Sequence, residues 1–275
     1  MRFAWTLFFT VIFTVPAVAQ TDSAAAGEKR SVCGTIEKDA GTALRAAGFI
    51  FSAPARWDGK DWLLASGAVV GTGAAFLLDR NVNDVMERNK TRLNDDVQKV
   101  VVQYGDGLNI LVLSAGAYAT GLFIDDDWLR ETAFLTGTSV IISGTISTLA
   151  KMAIGRARPY ADLGNHQFQP FTIKDKFHSF PSGHAMVAFS VSGVLAARIN
   201  NPWASVGLYG LATLSSVSRL YSRDHWLSDI FFSAVYSTAI SRSLVTWYEE
   251  RGETSGDRGL KVVAGPGCVT LLWGL

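Results

Sequence analysis

The chain has 275 residues, of which 48% are hydrophobic and 18% are charged, and its formal net charge is +1. The length fits one large domain or two small ones, and the charged fraction is below the quarter that is usual in soluble domains. Because the charges nearly balance, nucleic acid is not expected as a partner, and any cationic site must be local.

The first nineteen residues have the layout of a secretory signal peptide. Arg2 supplies the positive start, residues 7–15 are apolar, and Ala17 and Ala19 form a small-residue cleavage site. The apolar stretch is short for a membrane span, which favours cleavage over an uncleaved anchor. The sequence therefore predicts export to the periplasmic side of a bacterial cell envelope.

Composition divides the remaining chain into three parts. Residues 20–60 form a mixed, polar arm with a predicted short helix at Glu37–Ala47, and residues 61–248 form the predicted main domain. Residues 249–275 begin as a polar linker and end in a strand-like tail.

The chain has two cysteines, Cys33 and Cys268. Export would place them in an oxidising compartment, where a disulfide could tie the two ends of the chain together. Two isolated thiols are the alternative, and the sequence alone leaves both possibilities open.

Six apolar segments in the main domain predict an all-α fold, a bundle of about six core helices. The segments are rich in small residues, which let helices approach closely. They lack the sustained alternation of apolar and polar residues that is typical of a half-buried strand. The predicted helices are Trp62–Leu78, Leu108–Ile124, Ala133–Ala150, Ala185–Ala197, Trp203–Val217 and Ile230–Ile240.

The sequence gives mixed indications about membrane spans. The first three helices approach the length of about 20 residues that a span needs, whereas the last three are shorter. The connection Asp79–Lys99 is basic, so six spans would place it and the motif loops in the cytoplasm, in conflict with an exported site. We therefore favour a helical protein that is soluble or peripherally attached outside the inner membrane, with a multi-pass membrane protein as the alternative.

The first of three blocks that carry the chemistry contains Lys151 and Arg158. They are seven residues apart, so both can project from one face if the third helix continues, and Pro159 would then end it. The guanidinium fork matches two phosphate oxygens, and lysine adds a point charge. Arg156 lies on a different side and is interpreted as a solvated or structural charge.

The second block, residues 181–184, precedes the apolar run that begins at Ala185. The Ser182 hydroxyl and the backbone N–H groups at Gly183 would form an anion site at the start of a helix. His184 stands at the same turn, within reach of the anion as a proton donor.

The third block contains Arg219, His225 and Asp229. A spacing of four residues puts His225 and Asp229 on one face if this segment is helical. The carboxylate could then accept a proton from one imidazole nitrogen and leave the other nitrogen to attack phosphorus, giving a phosphohistidine. His166 and His178 lie between the blocks and are interpreted as surface or packing residues.

Each of these features has a structural alternative, namely a helix-end charge, a helix cap or a structural ion pair. Their conjunction favours function, and it resembles the three signature motifs of the type-2 phosphatidic acid phosphatase and vanadium haloperoxidase superfamily. That pattern is Lys, six residues, Arg-Pro; then Pro-Ser-Gly-His; then Ser-Arg, five residues, His, three residues, Asp. The resemblance covers about Trp62–Val245. The matching residues are Lys151, Arg158, Pro159, Pro181, Ser182, Gly183, His184, Ser218, Arg219, His225 and Asp229.

The resemblance implies an α-helical bundle with the active site at one end. His225 would be the nucleophile, Asp229 its partner, and His184 the acid for the leaving group and later the base for water. The phosphatases of this family need no metal or other cofactor, although vanadate could occupy the phosphate site. The resemblance assigns phosphate binding to Lys151, Arg158, Ser182, Gly183 and Arg219.

Three functions fit these expectations. The favoured one is an exported phosphatase acting on a phosphomonoester or on a lipid phosphate or diphosphate, at a membrane surface for which tryptophans such as Trp62 and Trp203 are suited. A vanadium-dependent haloperoxidase would bind vanadate at His225, but the chain is short for that class. A non-catalytic anion-binding envelope protein is disfavoured because every reactive group is kept.

Overall fold

The computed structural model describes residues 32–252 and the backbone of residues 260–265 and 268–273. The described main domain is all-helical, as predicted, and the signal peptide falls outside the described residues. The helices are α1 (Val32–Phe51), α2 (Gly59–Arg88), α3 (Arg92–Val101), α4 (Gly107–Phe123), α5 (Asp127–Ile154), α6 (Gly183–Ile199), α7 (Pro202–Tyr221) and α8 (Leu227–Glu250).

The six predicted core helices correspond to α2 and to α4–α8. Most of the observed helices are longer than predicted, because they continue into polar residues beyond the apolar segments. The predicted short helix Glu37–Ala47 is the middle of α1. The interpretation of Asp79–Lys99 as a loop is wrong, because α2 continues to Arg88 and α3 follows after three residues. Asp79 is polar but only 1% exposed, so it ties α2 to the rest of the protein instead of ending the helix.

Side-chain caps fix where several helices begin. Asp58 accepts hydrogen bonds from the backbone N–H groups of Lys60 and Asp61 at the start of α2. Asp106 and Asp126 cap α4 and α5 in the same way. Each such cap contributes about 1 kcal/mol to helix stability.

Helix α6 lies at the centre of the bundle and packs against α5, α7 and α8. Gly193 permits the closest approach, because a Cβ atom there would lie 1.9 Å from the Ser241 hydroxyl oxygen on α8. Val194 of α6 and Leu244 of α8 are fully buried beside it. The central position of α6 places its N-terminus among the ends of its neighbours.

The outer helices carry a broad apolar surface. Within the described residues, α2 and α5 are long and apolar enough to cross a membrane, and α3 with α4, bent by 51°, would form a third span. On α2, Leu63, Leu64, Val70 and Leu77 are between 72% and 80% exposed. An exposed apolar surface of this kind is typical of contact with lipid, so the structure supports membrane association.

The bundle end opposite the predicted site contains a buried charged cluster. Arg130, in the first turn of α5, bonds to Asp39 of α1 and lies 3.1 Å from Asp127. Glu131 is 1% exposed and pairs with Arg198 of α6 at 3.1 Å. These ion pairs fasten α1 and α6 to α5.

The C-terminal tail contains strands β1 (Leu260–Gly265) and β2 (Cys268–Trp273), which pair antiparallel and agree with the strand-like prediction. Cys33 is an exposed free thiol. The side chain of Cys268 lies outside the described residues, so both possibilities for the two cysteines, a disulfide and two isolated thiols, stay open.

Candidate active site

One end of the bundle gathers the ends of four helices that carry the predicted site residues. Lys151 lies in the last turn of α5, and Ser182 is the N-cap of α6. Arg219 lies in the last turn of α7, Asp229 in the first turn of α8, and His225 in the connection between them. The structure therefore brings the three sequence blocks together.

The expectation that Lys151 and Arg158 share a helix face is wrong, because α5 ends before Arg158 and Pro159. Gly155 ends the helix in the left-handed conformation, with φ of 59°. A Cβ atom at Gly155 would lie 1.9 Å from the carbonyl oxygen of Gln169, so only glycine fits. Arg158 reaches the site from the loop that follows.

Lys151 holds that loop against α5. Its Nζ donates hydrogen bonds to the carbonyl oxygens of His178 and Pro181, at 2.8 and 2.5 Å. An ammonium group has three protons, so one donor is left for a phosphate oxygen. Lys151 thus both positions the Pro-Ser-Gly-His turn and supplies charge beside it.

Arg158 and Arg219 converge on one carboxylate, that of Asp224. The Nη1 of Arg158 is 3.3 Å from one oxygen of Asp224, and the Nη2 of Arg219 is 2.7 Å from the other. The Nε of Arg219 is buried without a hydrogen-bond partner among the described residues. A buried donor of this kind needs an acceptor, and a phosphate oxygen would satisfy it.

Ser182 and His184 form the anion-binding turn at the start of α6. The Ser182 hydroxyl accepts from the backbone N–H of Ala185 at 3.4 Å and thereby caps α6, whose N-terminus lies at the site. Gly105 packs against this turn, because a Cβ atom at Gly105 would lie 2.7 Å from the carbonyl oxygen of His184. Burial, together with the charge of Arg219, lowers the pKa of His184 to about 4.

His225 is held in one tautomer by a backbone carbonyl. The ring is 3% exposed, and its Nδ1 lies 2.7 Å from the carbonyl oxygen of Ser179. A carbonyl only accepts, so Nδ1 carries the proton and Nε2 keeps its lone pair. Burial also lowers the pKa of His225 to about 4, so the ring is neutral at physiological pH.

Asp229 lies close to His225, but not for the reason that the spacing suggested. His225 precedes α8, so the two residues do not share a helix face. Instead, Asp229 Oδ2 accepts from the Trp226 backbone N–H at 2.8 Å and from the Ser179 hydroxyl at 2.5 Å. This oxygen is 3.8 Å from Nδ1 of His225, so Asp229 acts on the ring as a nearby charge, while Ser179 is its direct hydrogen-bond partner.

Arg156 is buried, so the interpretation of it as a solvated charge is wrong and the structural one is favoured. It is 2% exposed, and its Nη1 donates to Asp229 Oδ1 at 2.6 Å. Its guanidinium carbon lies 4.7 Å from the ring centre of Phe76 and 5.6 Å from that of Trp226. The sequence offered no signal for this role, because Asp79, its other carboxylate partner, lies 77 residues away.

The helical bundle and the cluster of cations and histidines at one of its ends define a class of anion-binding protein. The model of the PAP2 superfamily matches residues 132–253, and this match confirms the resemblance. The segment contains all three blocks and excludes α1–α4.

Two curated relatives are similar to part of this chain. The lipid A 1-phosphatase of Rhizobium johnstonii is 30% identical over 133 residues, which cover 48% of this chain and 52% of the relative. The lipid A 1-phosphatase of Rhizobium etli is 32% identical over 122 residues, covering 44% and 50%. The chain therefore spans about half the length of these curated relatives.

One solved structure is similar in fold. The crystal structure of the PAP2-type phosphatidylglycerolphosphate phosphatase from Bacillus subtilis has a TM-score of 0.50 and 16% identity, and covers 68% of this chain and 94% of its own. That of Aquifex aeolicus LpxE has a TM-score of 0.49 and 18% identity, and covers 62% and 95%.

Proposed function

We propose that the protein is a metal-independent phosphatase that hydrolyses a membrane lipid phosphate through a phosphohistidine on His225. The observation that carries this proposal is the state of His225, whose Nδ1 is committed to Ser179 and whose neutral Nε2 is free to attack. The buried and unpartnered Nε of Arg219 supports an anion beside it.

The reaction would run in two displacements. With the phosphate bound by Arg158, Arg219 and Lys151, Nε2 of His225 attacks phosphorus and the bond to the leaving oxygen breaks. His184 donates a proton to that oxygen. Water, deprotonated by His184, then attacks phosphorus, and the P–N bond breaks to release inorganic phosphate. Asp229 stabilises the positive charge that the ring of His225 carries in between.

Substrate binding would bring His184 into its acid form. Burial and Arg219 lower the pKa of His184. A phosphate dianion places negative charge between them and therefore raises that pKa again. His184 would thus be protonated when the substrate is bound, which is when the leaving oxygen must receive a proton.

The pH profile tests the neutral state of His225. Because its pKa is lowered from 6.5 to about 4, the neutral nucleophile persists down to about pH 4 and is lost below it. We expect kcat/KM to keep an acid limb near pH 4 in both the wild type and His184→Gln, measured in short assays. An acid limb near pH 6.5 that belongs to the enzyme, and not to the second ionisation of the phosphate substrate, would contradict the buried, neutral ring.

A lateral groove supports a lipid as the substrate. It lies between α4, α5 and α6, has a volume of about 490 Å³ and is lined mainly by apolar side chains such as Val140 and Leu149. Met186 and Val187, also in its wall, follow His184 in the first turns of α6. An acyl chain in the groove would therefore place its phosphate end at the site. The lipid A 1-phosphatase relatives are consistent with this substrate class.

Narrowing the groove should separate lipid from soluble substrates. Gly144 lines it, and a Cβ atom there would lie 3.6 Å from Met186 Cε. We expect Gly144→Leu to lower kcat/KM for a long-chain lipid phosphate by about tenfold, and for p-nitrophenyl phosphate by less than about twofold. Gly207→Leu, on an exposed part of α7, is the matched control and should leave both values unchanged. Equal loss on both substrates in Gly144→Leu would count against the groove.

The direct test of the function compares substrates. Phosphate release from a lipid phosphate, an isoprenoid diphosphate and a soluble ester should be highest for the lipid phosphate, and the absence of release from all three would refute a phosphatase. The predicted signal peptide places the site on the periplasmic side if the bundle is attached peripherally, whereas three spans at α2, α3–α4 and α5 after a cleaved signal would place it in the cytoplasm. Labelling of Ile173→Cys, at an exposed loop position, with an impermeant maleimide in intact cells tests this orientation in a background without Cys33 and Cys268.

A further inference from the structure

Asp79 is a buried carboxylate that the two displacements do not use. It lies on α2, outside the segment that matches the PAP2 superfamily. One of its oxygens accepts from the backbone N–H of Ser228 at 2.9 Å, and the other from the Ser228 hydroxyl at 2.8 Å. Ser228 directly precedes Asp229 in the first turn of α8, so Asp79 holds the turn that carries the partner of His225.

Arg156 connects the two carboxylates. Its Nη2 donates to Asp79 at 2.6 Å, and its Nη1 donates to Asp229 Oδ1 at 2.6 Å and to the Ser228 hydroxyl at 2.7 Å. Because Oδ1 is held in this way, the carboxylate of Asp229 cannot rotate, and Oδ2 stays directed toward His225. Arg156 is therefore a fixed support for Asp229.

The charges of the group explain why two carboxylates surround one arginine. An arginine paired with Asp229 alone would neutralise it and weaken its attraction for positive charge on His225. An ionised Asp79 offsets Arg156, and the three side chains together then keep one net negative charge. That charge faces the ring of His225, which becomes positive when Nε2 bonds to phosphorus.

We infer that Asp79 and Arg156 form a positioning pair that fixes Asp229 for the reaction at His225. Neither residue touches the substrate; both act through Asp229. The inference rests on the proposed function for its kinetic consequences, but the geometry that it assigns to His225 can be measured without turnover.

Kinetics of three variants test the pair. We expect Asp79→Asn and Arg156→Gln each to lower kcat per folded molecule by about 10- to 100-fold, with KM within about twofold, because the phosphate-binding groups are intact. The double variant should be no slower than the slower single variant, because both changes act through Asp229. It also removes both buried charges, so it remains informative if one single variant folds poorly.

The control breaks a comparable ion pair away from the site. Asp39→Asn removes a carboxylate, 4% exposed, from Arg130 at the opposite end of the bundle. It should lower the melting temperature as the other variants do, without changing kcat per folded molecule. Full kcat in Asp79→Asn, an equal loss in Asp39→Asn, or losses that multiply in the double variant would each overturn the inference.

A spectroscopic measurement separates this inference from the proposed function. The chain has only four histidines, so ¹⁵N-histidine labelling resolves His225. The wild-type ring should show a protonated Nδ1, and its resonances should shift in Asp79→Asn and Arg156→Gln but not in Asp39→Asn. Absence of phosphate release by the wild type would refute the proposed function alone, whereas unshifted His225 resonances in both variants would refute the positioning pair.

Discussion

His225→Ala should lower phosphate release by at least about 10³-fold, because it removes the only nucleophile in the proposed mechanism. Phosphate binding should persist, since Arg158, Arg219 and Lys151 stay in place. The measurement is single-turnover release from a ³²P-labelled lipid phosphate, with acid-labile label on the protein as the sign of the intermediate. The wild type should show this label and His225→Ala should not.

His178→Ala is the matched control for this experiment. His178 lies in the loop beside the site, and its Nε2 lies 2.8 Å from the carbonyl oxygen of Thr172. The substitution should change kcat by less than about threefold. Undiminished release in His225→Ala would show that another group or a water molecule attacks phosphorus, and would refute the phosphohistidine.

Arg219→Ala should lower kcat by about 10²- to 10³-fold, the usual cost of losing one charged donor that faces a developing negative charge. The Nε of Arg219 has no hydrogen-bond partner among the described residues, so the loss of Arg219 removes a donor that is available to the bound anion. The Nε of Arg223 also lacks a hydrogen bond, but it lies 3.6 Å from a carboxylate oxygen of Glu87. Inhibition by vanadate, which resembles the transition state in shape and charge, should weaken by a similar factor. Arg219→Lys should recover only part of the rate, because a point charge does not replace the fork.

The neighbouring Arg223→Ala separates local charge from a specific contact. Arg223 lies four residues after Arg219 and pairs with Asp162 and Glu87. Its removal takes away the same charge near the same turn, and we expect less than a twofold change in kcat. Equal effects of the two substitutions would mean that Arg219 contributes only to the overall field of the site.

Much of the helical bundle was predictable because it depends on local patterns. Apolar segments located six helices, and motif spacing identified the residues that the structure brings together. The end of α5 at Gly155 was also within reach, since glycine in the left-handed conformation is a common helix terminator. The spacing of seven residues between Lys151 and Arg158 suggested instead that the helix continues to Pro159, and the helix was therefore extended too far.

The support around the site was not predictable because it depends on long-range contacts. The acceptor for His225 is the backbone carbonyl of Ser179, which has no side-chain signature. Asp79 looked like a loop residue because aspartate is usually exposed, and only the fold shows that it faces Arg156. Sequence spacing thus identified the groups that the structure brings together, but not the contacts that orient them.

If α5 spans a bilayer, the two charged ends of this helix set the height of the protein in it. Lys151 follows Arg130 by 21 residues, a rise of about 31 Å, and the hydrocarbon core of a bilayer is about 30 Å thick. With Arg130 at one membrane surface, Lys151 lies at the other, in the plane where lipid headgroups already reside. A lipid phosphate would then reach His225 by sideways diffusion within one leaflet, and its headgroup would not have to be lifted into water.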